Sequence, residues 1–181
     1  DVLGSRGLGD VYKRQALCGL CGGEFNESLG VSKPYDFRSW VPDAIVVNLG
    51  TNDASAFEQP PFTIPETGEV CKQRKNPDGT YNREDLLKFE QAVIDFLKML
   101  RKHNESSHIV WAYGMLGYDL TLAITEAMNT YRTETGDSNV AFLQLPDSTP
   151  DNLGAHAHPG PASHERAAAI LTEYFKKKWE V

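Results

Sequence analysis

A chain of 181 residues, 40% hydrophobic and 24% charged, suits one domain with a real core and is too apolar to stay disordered. Its formal net charge of −7 argues against nucleic acid as a partner, because phosphate contacts need a basic surface, and against docking on anionic membranes. No apolar run reaches the roughly 20 residues that span a bilayer.

Residues 1–15 (DVLGSRGLGDVYKRQ) carry neither a helical nor a strand period. They are read as a non-native leader, which leaves residues 16–181 as the domain. Cys18, Cys21 and Cys71 are an odd count, which does not suggest a disulfide framework. Cys18 and Cys21 form a CxxC, but no second pair or nearby histidines follow to complete a zinc or redox site, so both read as small loop residues.

Residues 44–49 (AIVVNL) form a short apolar run that ends in the turn signal Gly50-Thr51-Asn52-Asp53. Apolar throughout, such a run predicts a strand buried on both faces of a parallel sheet. Residues 54–81 contain Pro60, Pro61, Pro65 and Pro77 and read as a long functional loop, a lid or one wall of a site. Leu86, Phe89, Val93, Phe96, Leu97 and Leu100 recur at helical spacing, with Asn82 as the N-cap. A second buried strand follows at residues 108–113 (HIVWAY), ended by Gly114. A second helix carries Leu120, Ile124, Ala127, Met128 and Tyr131 and closes at Gly136. Residues 140–145 (VAFLQL) make a third strand. A third helix carries Ala167, Ile170, Leu171, Tyr174 and Phe175, with Ser163 as its cap and Lys176, Lys177 and Lys178 at the dipole's negative end. Alternating strands and helices predict an α/β fold with a parallel sheet, whose ligands bind beyond the carboxyl ends of the strands.

Two loops at that rim carry chemistry. Asn52, in the turn after the first strand, can aim its amide at a developing oxyanion, and Gly50 lets the backbone approach a ligand. The same four residues also serve as a plain turn. His158, held by Pro159 just before the last helix, suits a general base. It can equally be a solvated loop residue or half of a metal pair with His156, while His164 can act as a cap.

Together the two loops resemble sequence blocks of the SGNH (GDSL-like) hydrolases. The string VPDAIVVNLGTND (residues 41–53) resembles their third block, and HPGPASHERAA (residues 158–168) their fifth. Trp40 with Pro42-Asp43 is similar to the lead-in of the family-two carbohydrate esterase branch, which includes acetyl xylan esterases. The resemblance implies a flavodoxin-like three-layer α/β sandwich with a parallel sheet. It implies Asn52 as oxyanion donor, Gly50 as its support, His158 as the base, and Gly19, with Gly22 second, as a further oxyanion donor. It implies a serine esterase acting on a small-molecule or carbohydrate ester, without metal or organic cofactor. Trp111 and Tyr113, at the end of the second strand, are candidate substrate contacts, against the core reading that aromatics of α/β proteins usually take.

Two departures bear on this expectation. The first block, Gly-Asp-Ser at the end of a first strand, is absent. Gly9-Asp10-Val11 has no serine, and Ser28, Ser32 and Ser39 do not follow a buried strand. The chain is therefore expected to lack the first strand, the first helix and the nucleophile, and to be inactive by itself. The fifth block's usual Asp, three residues before the histidine, is Ala155. The base is then oriented by a backbone carbonyl, as in a Ser-His dyad, or by another carboxylate. The rival functions are a non-catalytic carbohydrate-binding or scaffold protein and an SGNH lipase or lysophospholipase. The charged residues between 68 and 82 favour a polar substrate over a lipid.

Overall fold

The structure is a computed structural model that describes residues 41–63, 68 and 70–180. Strand β1 (Ala44–Val47) leads to helix α1 (Thr51–Ala56) and to a small hairpin of β2 (Phe62–Thr63) and β3 (Val70–Cys71). Helix α2 (Arg83–His103), β4 (His108–Tyr113), α3 (Thr121–Thr135), β5 (Val140–Gln144) and α4 (Pro161–Trp179) follow. The central sheet has the order β1-β4-β5 with both pairs parallel. In register, Val47 lies beside Trp111 and Tyr113 beside Gln144, so all three strands release the chain at one rim.

Strand β4 explains the layering. All six of its residues are buried, and alternation sends them to opposite faces. Ile109, Trp111 and Tyr113 enter the larger core with Phe89, Val93 and Leu97 of α2 and Ile124, Met128 and Tyr131 of α3. Ala112 joins Met115, Leu145 and Ala167 on the α4 side. This is the expected α/β/α sandwich.

The flanking strands are less enclosed than their composition predicts. Val46 is 43% exposed, because β1 is an edge of the sheet among the described residues and buries one face. The apolar stripe of α4 is likewise open: Ala167 is buried, whereas Ile170 is exposed and Tyr174 and Phe175 are half-buried.

Local signals set the helix ends. Asn82 caps α2, its side chain accepting from the Glu84 backbone N–H (3.1 Å). Gly136 closes α3 in the left-handed region at φ 71°. Helix α4 starts differently from expectation: its N-cap is Gly160 and Pro161 occupies the first turn, which places Ser163 inside the helix.

The described part of the long connection after α1 is an arm tied to α2. Arg74 binds the buried Asp85 carboxylate of α2 through Nε (2.8 Å) and also reaches Glu84 (2.8 Å). Hydrogen bonding from Arg74 holds the Asp85 carboxyl down at about 2. A carboxyl depressed in the folded state stabilises the fold above its unfolded value near 4 and loses that contribution as pH falls toward 2. Asp85→Asn should therefore lower stability at neutral pH and flatten the urea-midpoint curve between about pH 4 and pH 2. An unchanged slope in that window would show that Asp85 is not held by Arg74.

Candidate active site

The rim that the sheet creates carries both loops singled out from sequence. On the β1 side, residues 48–50 are pinned from beneath. The Asn48 amide donates to the Ala112 carbonyl (2.7 Å), and the Trp111 indole N–H donates to the Leu49 carbonyl (3.0 Å). Gly50 then turns the chain at φ 125°, where a side chain would be strained. A Cβ there would sit 3.0 Å from the Tyr113 ring. What was read as a turn over residues 50–53 is this single glycine followed at once by α1. The helix half-buries Asn52 and buries Asp53. The Ser55 hydroxyl occupies the Asn52 carbonyl (2.9 Å), and no side-chain hydrogen bond ties up the Asn52 amide among the described residues.

Trp111 and Tyr113 are not cleft walls. They are 0% and 1% exposed, and strand alternation turns both into the α2–α3 layer. Trp111 meets the edge of Phe96. Tyr113 accepts from the Leu120 N–H (3.4 Å), and burial pushes its phenol up to about 12. Both act on the site from below, by shaping the turn that launches Asn52. The arm supports α1 from its other end. Phe57 stacks on Tyr81 at 4.1 Å, and Lys72 donates to the Phe57 and Gln59 carbonyls.

On the β5 side, the loop after the strand is tied to the loop after β4. Ser148 N–H donates to the Met115 carbonyl (2.9 Å), Gly117 N–H to Asp147 (3.0 Å), and the Tyr118 hydroxyl to the Leu145 carbonyl (3.1 Å). Gly114 makes this possible. A Cβ there would lie 2.3 Å from the Leu145 carbonyl oxygen, at φ 140°. Gly114→Ala should lower the unfolding free energy by about 2 kcal/mol, from backbone strain and a collision that no rotamer relieves. Urea denaturation checks this, and an unchanged midpoint would mean that the rim is not so tightly built.

His158 projects from the end of that loop and is exposed. Its Nδ1 lies 3.2 Å from the Ala155 carbonyl oxygen. A carbonyl only accepts, so the neutral ring carries its hydrogen on Nδ1 and keeps the Nε2 lone pair free. The residue standing where an acid was sought thus supplies a backbone acceptor instead. The loop closes on itself: Gly154 N–H donates to the His158 carbonyl (2.7 Å), and Leu153 bridges Pro159. His156 and Ala157 both take left-handed backbone, at φ 54° and 59°.

Gly19 and Gly22, together with Trp40, Cys18, Cys21, the Gly9-Asp10-Val11 string and Ser28, Ser32 and Ser39, lie outside the described residues. Among the described residues, no serine hydroxyl bonds to His158, and no three His, Cys, Asp or Glu side chains gather to hold a metal ion.

No family model matches the sequence. The chain is similar to an acetyl xylan esterase, Est2A, from the rumen bacterium Butyrivibrio proteoclasticus. The two are 49% identical with a TM-score of 0.86, over 96% of this chain and 49% of that one. A family-two carbohydrate esterase from Clostridium thermocellum, in complex with cellohexaose, is 27% identical with a TM-score of 0.61, over 81% of this chain and 39% of that one. In sequence, the cellulase/esterase CelE of Acetivibrio thermocellus is 27% identical over 150 residues, 80% of this chain and 15% of that protein. The chain spans about half the length of the Est2A chain that it matches.

Proposed function

The chain is a relative of the family-two carbohydrate esterases, and on that footing we propose that it supplies the base and an oxyanion donor of an enzyme that removes acetyl groups from a polysaccharide. The observation that supports this reading is the bond of His158 Nδ1 to the Ala155 carbonyl, in a loop that follows β5, while Asn52 follows β1 in the same parallel sheet.

The roles follow from these groups. His158 Nε2 takes the proton of the attacking hydroxyl as its oxygen bonds to the ester carbonyl carbon. The Asn52 amide, with Gly50 holding its turn, donates to the oxygen on which negative charge develops. The imidazolium returns its proton to the departing sugar oxygen. Water then enters by the same route and releases acetate. Without a carboxylate on Nδ1, the Ala155 carbonyl holds the tautomer but stabilises the imidazolium less than an acid would. The attacking serine is assigned outside the described residues, and Gly19 is the proposed second oxyanion donor.

A polar substrate suits the arm beside α1. Its described part is held by Lys72, by Arg74 with Asp85, and by Lys75 with Glu58, where a lipid-binding lid would present an apolar rim. The complex of the Clostridium thermocellum neighbour with cellohexaose supports a β-linked glycan as the carrier of the acyl group. The test is acetate release from acetylated xylan by the full gene product, beside hydrolysis of a long-chain acyl ester. Faster turnover of the acetylated polymer is expected. A preference for the long chain would replace this reading with a lipase, and glycan binding without acetate release would replace it with a binding module.

A further inference from the structure

Ser163 carries a buried hydroxyl that the proposed chemistry does not use. It is 1% exposed and lies five residues after His158, in the first turn of α4. The Ser148 hydroxyl donates to it (2.8 Å), and it donates in turn to the Asn152 carbonyl (3.1 Å). That same carbonyl accepts the Gly160 N–H (2.8 Å). Three segments meet at this point. Ser148 is anchored to the loop after β4 through the Met115 carbonyl. Ser163 rides on α4, which Ala167 fixes against Ala112 and Leu145. Asn152 begins the loop that ends in His158.

We propose that Ser163 is a positioning residue for His158. Its hydroxyl clasps the base of the 152–160 loop and so keeps the Ala155 carbonyl against Nδ1. The inference rests on the reading of His158 as the base. The loop needs such a clasp, because His156 and Ala157 hold left-handed backbone, which persists only where the surroundings fix it. The approach at its base is also tight: a Cβ on Gly160 would sit 2.7 Å from the Asn152 carbonyl oxygen. Removing the Ser163 hydroxyl leaves the half-buried Ser148 hydroxyl without its acceptor and the half-buried Asn152 carbonyl with one donor fewer.

The test uses nitrogen-15-labelled protein at about pH 8.5, above the ordinary histidine range. Long-range proton–nitrogen correlations read the tautomer of His158, and amide exchange reads the loop. The unaltered protein should hold the hydrogen on Nδ1. Ser163→Ala should keep the circular dichroism of the fold, shift the ring toward the Nε2–H tautomer, and speed exchange at the Gly154 and Gly160 amides about tenfold. An unaltered tautomer and unaltered protection in folded Ser163→Ala would overturn the proposal and leave Ser163 a packing residue. If that variant does not fold, Ser148→Ala decides: faster exchange at both amides supports the clasp, and unchanged exchange overturns it. These readouts need no ester. A protein that cleaves no acetyl ester yet loses its tautomer in Ser163→Ala sinks the hydrolase reading and keeps the clasp.

Discussion

His158→Ala should remove the proposed acetyl-ester hydrolysis by the full gene product, with kcat/KM falling about 10⁴-fold, the upper range for loss of a positioned general base. The reason is specific to this site. The Ala155 carbonyl fixes the ring hydrogen on Nδ1, which leaves Nε2 as a ready proton acceptor at the sheet rim. The side chain is exposed, so its removal opens no cavity and the variant should melt close to the unaltered protein. That separates a chemical effect from unfolding. His158→Gln, which cannot take up a proton, should be as inactive as alanine. Near-normal acetate release by either variant would take His158 out of the mechanism.

Asn52→Ala should lower kcat about 10²–10³-fold with a much smaller change in KM, as expected for a donor whose bond strengthens when the carbonyl oxygen becomes an oxyanion. Its amide has no competing side-chain partner among the described residues. The turn that aims it is over-determined by the Trp111 indole on the Leu49 carbonyl and by the Tyr113 ring against Gly50. Asn52→Asp should be at least as damaging, because it sets a negative charge where one develops in the reaction. If Asn52→Ala raised KM and left kcat intact, Asn52 would be a substrate contact and not an oxyanion donor.

The sheet and its helices were legible where burial and period agree. Residues 108–113 form a strand of that extent because Ile109 to Tyr113 are apolar enough to be enclosed on both sides, and the His108 ring is enclosed with both nitrogens bonded, to Asn139 and Tyr174. Residues 44–49 looked the same in sequence, yet the strand ends at Val47. Asn48 turns its amide to the Ala112 carbonyl, and a tertiary bond of that kind leaves no local mark. The two-residue period could have removed Trp111 and Tyr113 from the list of substrate contacts, since they share a face with Ile109. In a strand apolar throughout, however, nothing in the sequence says which layer that face meets. Ser163 was read as a cap because serine favours that place, but Pro161 already pointed to Gly160 by its preference for the first helical position. The hydroxyl pair with Ser148 spans 15 residues and has no sequence signature. A backbone carbonyl was legible as one substitute for the missing acid because no carboxylate stands three residues before His158, but nothing in the sequence said that it belongs to Ala155.

The Asn52 amide and the His158 imidazole are proposed to face one acyl group. Titrating the labelled protein with an acetylated xylo-oligosaccharide tests it most directly, by following the side-chain amide of Asn52 and the ring of His158 in the same spectra. Both sets of resonances should move along one saturation curve, while those of the enclosed Trp111 indole stay in place. Two separate curves, or movement at one residue with the other silent, would contradict a shared pocket.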